Sequence, residues 1–220
     1  DNRQLFKELN NTNFTNIYNI QNYNPLYNKY FQLNNNNFNS INLNHKYHIT
    51  DITEKRSYNK YKIVISDNEG NEKNIETFFK FSPLLEPVKY LLGKYNDINN
   101  ILDSSYNNDI SLNSLLEPEL NKIYKLPTFN NENNCFEKLL DENSFSYVDC
   151  FFSFLSSKLL NNYDFIHGIN FYGNFLGIKR NFIYNIEDDI DILSESSFFL
   201  ATKDIIYKIE NNCNEIFNFD

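Results

Sequence analysis

The chain is 220 residues long, with 29 acidic against 20 basic side chains, a formal charge of -9 and a pI near 4.9. That length suits one domain with a real core and appended segments. The acidic balance excludes a general nucleic-acid binder, whose phosphate contacts need a clustered basic surface, while leaving room for a local basic patch.

Residues 1–45 are dominated by Asn interrupted by single Phe, Tyr, Ile and Leu residues, ending in the tract Asn34 to Asn37. Such a segment lacks the apolar density to build a core and reads as an irregular arm, with its spaced aromatics available to tack it onto a folded surface. The N-terminal DNRQLFKELNN has neither the basic nor the apolar region of a signal peptide. No run of about 18 apolar residues occurs, so no transmembrane helix is expected. The chain contains no Met, and we expect it to be a processed or excerpted piece of something longer.

His45 and His48 lie in the run HKYH; two imidazoles need further ligands to hold a metal, so they read as surface or half-buried side chains and no metal is expected. Tyr61 to Ser66 (YKIVIS) and Asn74 to Phe81 (NIETFFKF) are strand-like, and the polar run between them contains Gly70 for a turn, which predicts a hairpin. On its second strand Ile75, Thr77, Phe79 and Phe81 share one face, while Glu76, Phe78 and Lys80 share the other. Lys80 is thus a lone cation among aromatics, and in the plainest reading its stem covers apolar surface.

Between Ser82 and Tyr95, Pro83 and Pro87 set the entry to a short amphipathic helix through Leu85, Val88, Leu91 and Leu92, ended by Gly93. From about residue 96 to 134 the chain reads as a loop-rich insertion around Pro118 and Pro127, with one helical turn near Ile110 to Leu116. Cys135 to Leu140 predicts a short helix. The three cysteines, Cys135, Cys150 and Cys213, are widely spaced and odd in number; they fit inert reduced thiols better than a disulfide framework or a zinc site.

Ser144 to Ile186 is the stretch around which the rest is organised. Val148, Phe151, Phe152, Leu155 and Leu159 recur at the spacing of one helix face, and Ser146 with Asp149 three residues on forms a capping-box-like start. Ile169 to Tyr172 and Phe182 to Ile186 are strand-like about a LysArgAsn turn at 179 to 181, predicting a second hairpin. The acidic run at 187 to 191 reads as solvated surface, and Ser197 to Leu200 with Ile205 to Ile209 as a final strand. The expected organisation is therefore α+β. It has an arm at 1–45, a domain at 46–186 with antiparallel strands against one main amphipathic helix, an acidic segment at 187–220 and Asn-rich irregular flanks.

The order of hairpin with Lys80, helix with Asp149, then a segment beginning HGINFYGNF resembles the N-terminal lobe of protein kinases. In particular it is similar to the divergent kinase-like proteins of giant DNA viruses; FFKFSPLLEPVKYLLGKY and DFIHGINFYGNFLGIK look like segments of uncharacterised proteins from such viruses. The heavy use of Asn, Ile, Lys, Tyr and Phe also resembles translation of an AT-rich genome. The resemblance covers roughly Tyr61 to Ile186. It implies a sheet of about five antiparallel strands, with Lys80 matching the phosphate-binding lysine and Asp149 the helix acid that pairs with it.

The nucleotide machinery is otherwise missing. No glycine precedes Lys80 except Gly70 in the hairpin turn, Phe78 stands where a small residue would leave room for adenine, and no HRD or DFG sequence occurs. No GxSxG elbow marks a nucleophile, and Asp188 and Asp189 are adjacent, pointing apart if extended. The leading expectation is a non-catalytic interaction or scaffold domain with protein partners, intracellular, in the host cytoplasm or virion if viral. One alternative is the upper lobe of an active serine/threonine kinase, in which Lys80 binds ATP with magnesium and an unseen lobe supplies the metal ligands and base. The other is a structural or virion-associated protein.

Overall fold

A computed structural model describes residues 3–12, 16–95, 111–130 and 135–210. The chain is mixed α and β with antiparallel sheets and several helices, grouped into two units: Asp1–Leu84 with Leu126–Phe182, and Leu85–Lys125 with Ile183–Asp220. Among the described residues no helix is long and apolar enough to cross a membrane.

In the first unit, helix α1 (Arg3–Thr12) leads into strand β1 (Ile17–Gln21), and strands β2 (Tyr47–Lys55), β3 (Lys60–Asp67) and β4 (Glu72–Phe78) form an antiparallel meander. The predicted hairpin is β3 with β4, paired from Lys60–Phe78 to Ser66–Glu72. Its alternation places Tyr61, Ile63 and Ile65 inside, and the Asp67 carboxylate closes the turn by accepting from the Glu69 and Asn71 amides, both at 2.9 Å. The third strand, β2, went unrecognised in the sequence because its register slips twice against β3. Its inward residues Ile49 and Ile52 are consequently three apart and not two.

The arm expected to be irregular contributes α1 and β1, and a core residue comes from almost every turn of it. Phe6, Leu9, Ile20 and Leu43 are buried with Ile49, Ile52, Tyr61, Ile63 and Ile65 in one cluster. Asn side chains stand in for the missing regular pairing: Asn10 Oδ1 accepts from the Ile20 amide at 2.9 Å, and Asn24 Oδ1 from the Leu26 amide at 3.0 Å, capping a 3-10 turn at Pro25–Lys29. Asn16 and Asn19 adopt left-handed backbone at φ 52° and 56°, which Asn tolerates better than most residues.

Helix α4 (Phe145–Tyr163) is the predicted central helix, and it buries a different face from the one expected. The inward residues are Tyr147, Cys150, Phe151, Phe154 and Ser157, packed on Leu26 and Tyr27 from the arm; Phe152, Leu155 and Leu159 are exposed. The error is about one residue, or about 100°, round the helix. Its cause is Ser157: a polar residue takes a buried position because its hydroxyl accepts the Phe171 amide at 3.1 Å.

The hairpin expected after α4 does not form. Residues 169–172 run back along the helix, held by the Ser156 and Ser157 hydroxyls, and a single strand, β5 (Leu176–Lys179), pairs with β1. Gly177 permits this approach, since a Cβ there would sit 2.4 Å from Ile17 Cγ2. The described residues thus form a three-stranded and a two-stranded sheet, not one five-stranded sheet, and α4 is the longest of several helices.

The second unit is helical: α2 (Pro87–Leu91), α3 (Leu112–Ile123), α5 (Ile190–Ser194) and α6 (Ser197–Ala201). Helix α2 is as predicted, with Gly93 at φ 70° just past its end. The expected single turn near Ile110 to Leu116 is a 12-residue helix that runs through Pro118. A mid-helix proline costs about 3 kcal/mol, and burying Leu116 and Ile123 at about 1.5–3 kcal/mol each offsets it. The rest of the expected insertion, 96–110 and 131–134, lies outside the described residues, as do Cys213 and the remainder of 211–220.

The expected final strand is replaced by α6, capped by Ser196 Oγ accepting from the Phe199 amide, and by one isolated bridge between Lys203 and Tyr207. Helical backbone lets the adjacent Phe198 and Phe199 enter two different clusters, one with Leu116 and one with Leu91 and Leu193.

Candidate functional site

The two residues singled out in the sequence lie together. Past the end of β4, Phe79 stacks on Tyr61 with centroids 4.4 Å apart and Phe81 meets Tyr58 edge-on at 6.0 Å. With Phe79 and Phe81 turned inward, Lys80 is turned outward beside Glu76 and Phe78, all three exposed. Its Nζ donates to Asp149 Oδ2 on the second turn of α4 at 2.8 Å.

Ser146 Oγ donates to the Pro83 carbonyl at 2.9 Å, so Ser82 Oγ, 2.8 Å away, donates to Ser146. Two rungs therefore bind residues 80–83 to the first turns of α4. The capping box expected of Ser146 and Asp149 is absent: the N-cap is Ser144, no side chain caps it, and both predicted members point to the 80–83 segment.

The remaining geometry offers a nucleotide little. The ammonium and carboxylate are both partly in water, where such a pair contributes roughly 0–1 kcal/mol. Among the described residues no glycine-rich turn faces Lys80, and Phe78 is exposed on the same side of the strand. Two concavities, of about 380 and 340 Å³, are lined by residues including Asn37, Ser40 and His48 and by residues including Leu116, Glu117 and Tyr124; neither includes Lys80 or Asp149. Among the described residues no group of three or more His, Cys, Asp or Glu is placed to hold a metal.

His45 is buried, where a surface or half-buried imidazole was expected. Its ring packs edge-on to Phe154 at 4.7 Å and against Phe171 at 5.3 Å, and Nε2 has no hydrogen-bond partner among the described residues. Burial, reinforced by the Lys158 ammonium, pushes its pKa down to about 4, so it is neutral at pH 7. His48 lies on β2 and lines the first concavity. Burial pushes the Cys150 thiol up to about 12, keeping it protonated, and neither Cys150 nor Cys135 is in a disulfide.

The most distinctive surface includes two residues, Phe152 and Leu159, that were expected on the buried face of the helix. Phe145, Phe152, Leu159 and Tyr163 fall within about 40° of one another on α4, opposite its buried face. Phe145 is 76% exposed, Phe152 64% and Tyr163 76%. Beside them the chain after α4 folds back, bringing Ile166 and Ile169, also exposed, alongside the helix. Gly168 allows that contact: a Cβ there would lie 2.7 Å from the Ser156 carbonyl and 2.8 Å from Leu160 Cβ. The available signal was a helix apolar almost all round, which cannot bury every face against one side of a core.

No protein-family model matches the chain, and no curated protein or solved structure matches it either.

Proposed function

We propose that this chain is a non-catalytic protein-interaction module, and the observation that carries the reading is the exposed, largely apolar face of α4, on which Asp149 is the one charged side chain and is paired with Lys80. Monomeric soluble proteins leave contiguous apolar patches of about 300–600 Å² at most, and larger ones mark contact surfaces. Three largely exposed aromatics with Leu159, Ile166 and Ile169 amount to roughly 700 Å². The intracellular setting expected from the sequence, host cytoplasm or virion, belongs to the same proposal.

A second reading has one specific observation in its favour. The 2.8 Å Lys80–Asp149 pair is what the kinase-lobe resemblance implies for an upper lobe that holds ATP with magnesium. Lys80 alone is a single point charge without a backbone cradle, and Phe78 occupies the adjoining surface.

Thermal unfolding with and without millimolar ATP and magnesium separates the two. The module reading expects no shift for the wild-type chain. A stabilisation of several degrees that disappears in Lys80→Ala would overturn it in favour of nucleotide binding.

A further inference from the structure

We infer that the apolar face of α4 binds a second copy of this chain, the two helices packing antiparallel about a two-fold axis. The inference deepens the interaction-module reading and rests on it. Three features of the face select this occupant.

The first is area. Phe145, Phe152, Leu159 and Tyr163 supply roughly 500 Å² per copy, and Ile166 and Ile169 beside the helix raise the total to roughly 700 Å², close to the ~800 Å² per partner of a stable complex.

The second is the order of residues along the stripe, which is complementary to its own reverse. The stripe positions are Phe145, Asp149, Phe152, Ser156, Leu159 and Tyr163. Turned about a centre near residue 154, Phe145 meets the other copy's Tyr163, Asp149 meets Leu159, and Phe152 meets Ser156. Aromatic rings close both ends, and in the middle each Phe152 lies over Ser156, which the returning chain partly covers through the Ile169 amide and Gly168, so the ring meets a small side chain and glycine backbone. A parallel pair would instead stack Phe152 on Phe152. An isologous contact of this kind is the commonest form of association between identical chains.

The third is charge. Two copies that each carry -9 repel, so a self-contact must keep unpaired charge out. Asp149 is the one carboxylate among the six stripe positions, which hold no basic side chain, and Lys80 stands on it at 2.8 Å. The pair that resembles a nucleotide-binding device thereby acquires a different use: it neutralises the single carboxylate on the contact face.

Sedimentation velocity on the full 220-residue chain, from about 1 to about 100 µM, tests the inference. We expect a concentration-dependent doubling of mass, weakened about 100-fold or more by Phe152→Glu. Phe145→Lys and Tyr163→Glu should each weaken it alone, and the double variant should recover much of the loss, because antiparallel packing sets the two new charges against each other. Circular dichroism should find every variant folded, since these side chains are already in water.

A chain that stays monomeric throughout, a dimer indifferent to Phe152→Glu, or no recovery in the double variant overturns the antiparallel dimer. Binding of the dye bis-ANS separates the two failures. A monomer whose dye binding falls in Phe152→Glu loses only the dimer, whereas a monomer whose dye binding is unchanged loses the module reading as well.

Discussion

The Asn-rich arm and helix α4 reverse what their compositions suggest. The arm is poor in apolar residues, yet Phe6, Leu9, Ile20, Leu26, Tyr27 and Leu43 all lie inside, and Tyr27 is fully buried. Helix α4 is rich in them and leaves Phe145, Phe152, Leu159 and Tyr163 in solvent. The difference teaches that burial follows from where polar groups are tied and not from apolar density. In the arm, Asn10, Asn24 and Asn39 side chains bond backbone amides and hold an irregular chain in place, so that a few well-spaced apolar residues suffice. On α4 the Ser157 hydroxyl fixes one side against the returning chain, Ser156 ties that chain to the edge of the apolar stripe, and Phe145, Phe152 and Tyr163 are left in solvent.

The strongest way to break this comparison is to truncate one side chain from each region. Tyr27 touches Phe31 at 5.3 Å and Phe151 at 5.8 Å between ring centroids and has no exposed surface. Tyr27→Ala should destabilise the chain by about 3–5 kcal/mol, the range for deleting a buried aromatic. Phe152→Ala should stay within about 0.5 kcal/mol when measured at a concentration low enough to exclude association. Urea unfolding of both variants is the measurement, and a Tyr27→Ala cost below that of Phe152→Ala would show the arm to be peripheral after all.

A sharper probe lies where the two regions meet the chain between them. His45 ends the arm and packs on Phe154 of α4. Its pKa in the folded chain is lowered from the ordinary 6.5 to about 4. Below pH 6.5 the unfolded chain therefore takes up a proton that the folded chain refuses, and stability falls with pH until about pH 4, where both are protonated. The loss across that window should reach up to about 3 kcal/mol. The Asp67 and Asp141 carboxyls, held below the usual carboxylate range by hydrogen bonds from Asn71 and Lys138, lose their contributions below that window. Comparing the wild-type chain with His45→Phe in urea at pH 7, 5.5 and 4 isolates the imidazole, because the variant should lack this part of the slope.

Much of the sheet was legible because β3 and β4 alternate cleanly, with Tyr61, Ile63 and Ile65 inward. Strand β2 was not, because bulges break the period that alternation depends on. Helix α4 was legible as a helix but not in its orientation: Ser157, buried by a hydrogen bond to a residue 14 positions away, is invisible to any local pattern. Helix α3 was obscured by Pro118, whose local penalty is outweighed by contacts from elsewhere in its unit. Of the candidate site, Lys80 and Asp149 came from a resemblance in the order of elements, since no local spacing links residues 69 positions apart. Helix capping gave Asp149 a sufficient local explanation, and the long-range partner prevailed over it.

The smallest expected effect concerns that same pair. Lys80 and Asp149 join the end of β4 to α4, so it is tempting to treat their contact as a clamp. Both groups are partly hydrated, and the Ser82–Ser146–Pro83 rung one residue pair away makes the same connection without charge. A pair of this kind contributes roughly 0–1 kcal/mol, and less as salt rises. In a double-mutant cycle of Lys80→Ala and Asp149→Ala, urea unfolding of the monomer should give a coupling below about 1 kcal/mol that shrinks between low and high salt. A larger, salt-independent coupling would mean that the pair is shielded from water and fixes the helix, placing it with the arm's tethers as a structural tie. A small coupling leaves its value to be found in what it does to the α4 surface, where removing Lys80 alone would leave Asp149 charged in the middle of an otherwise neutral stripe.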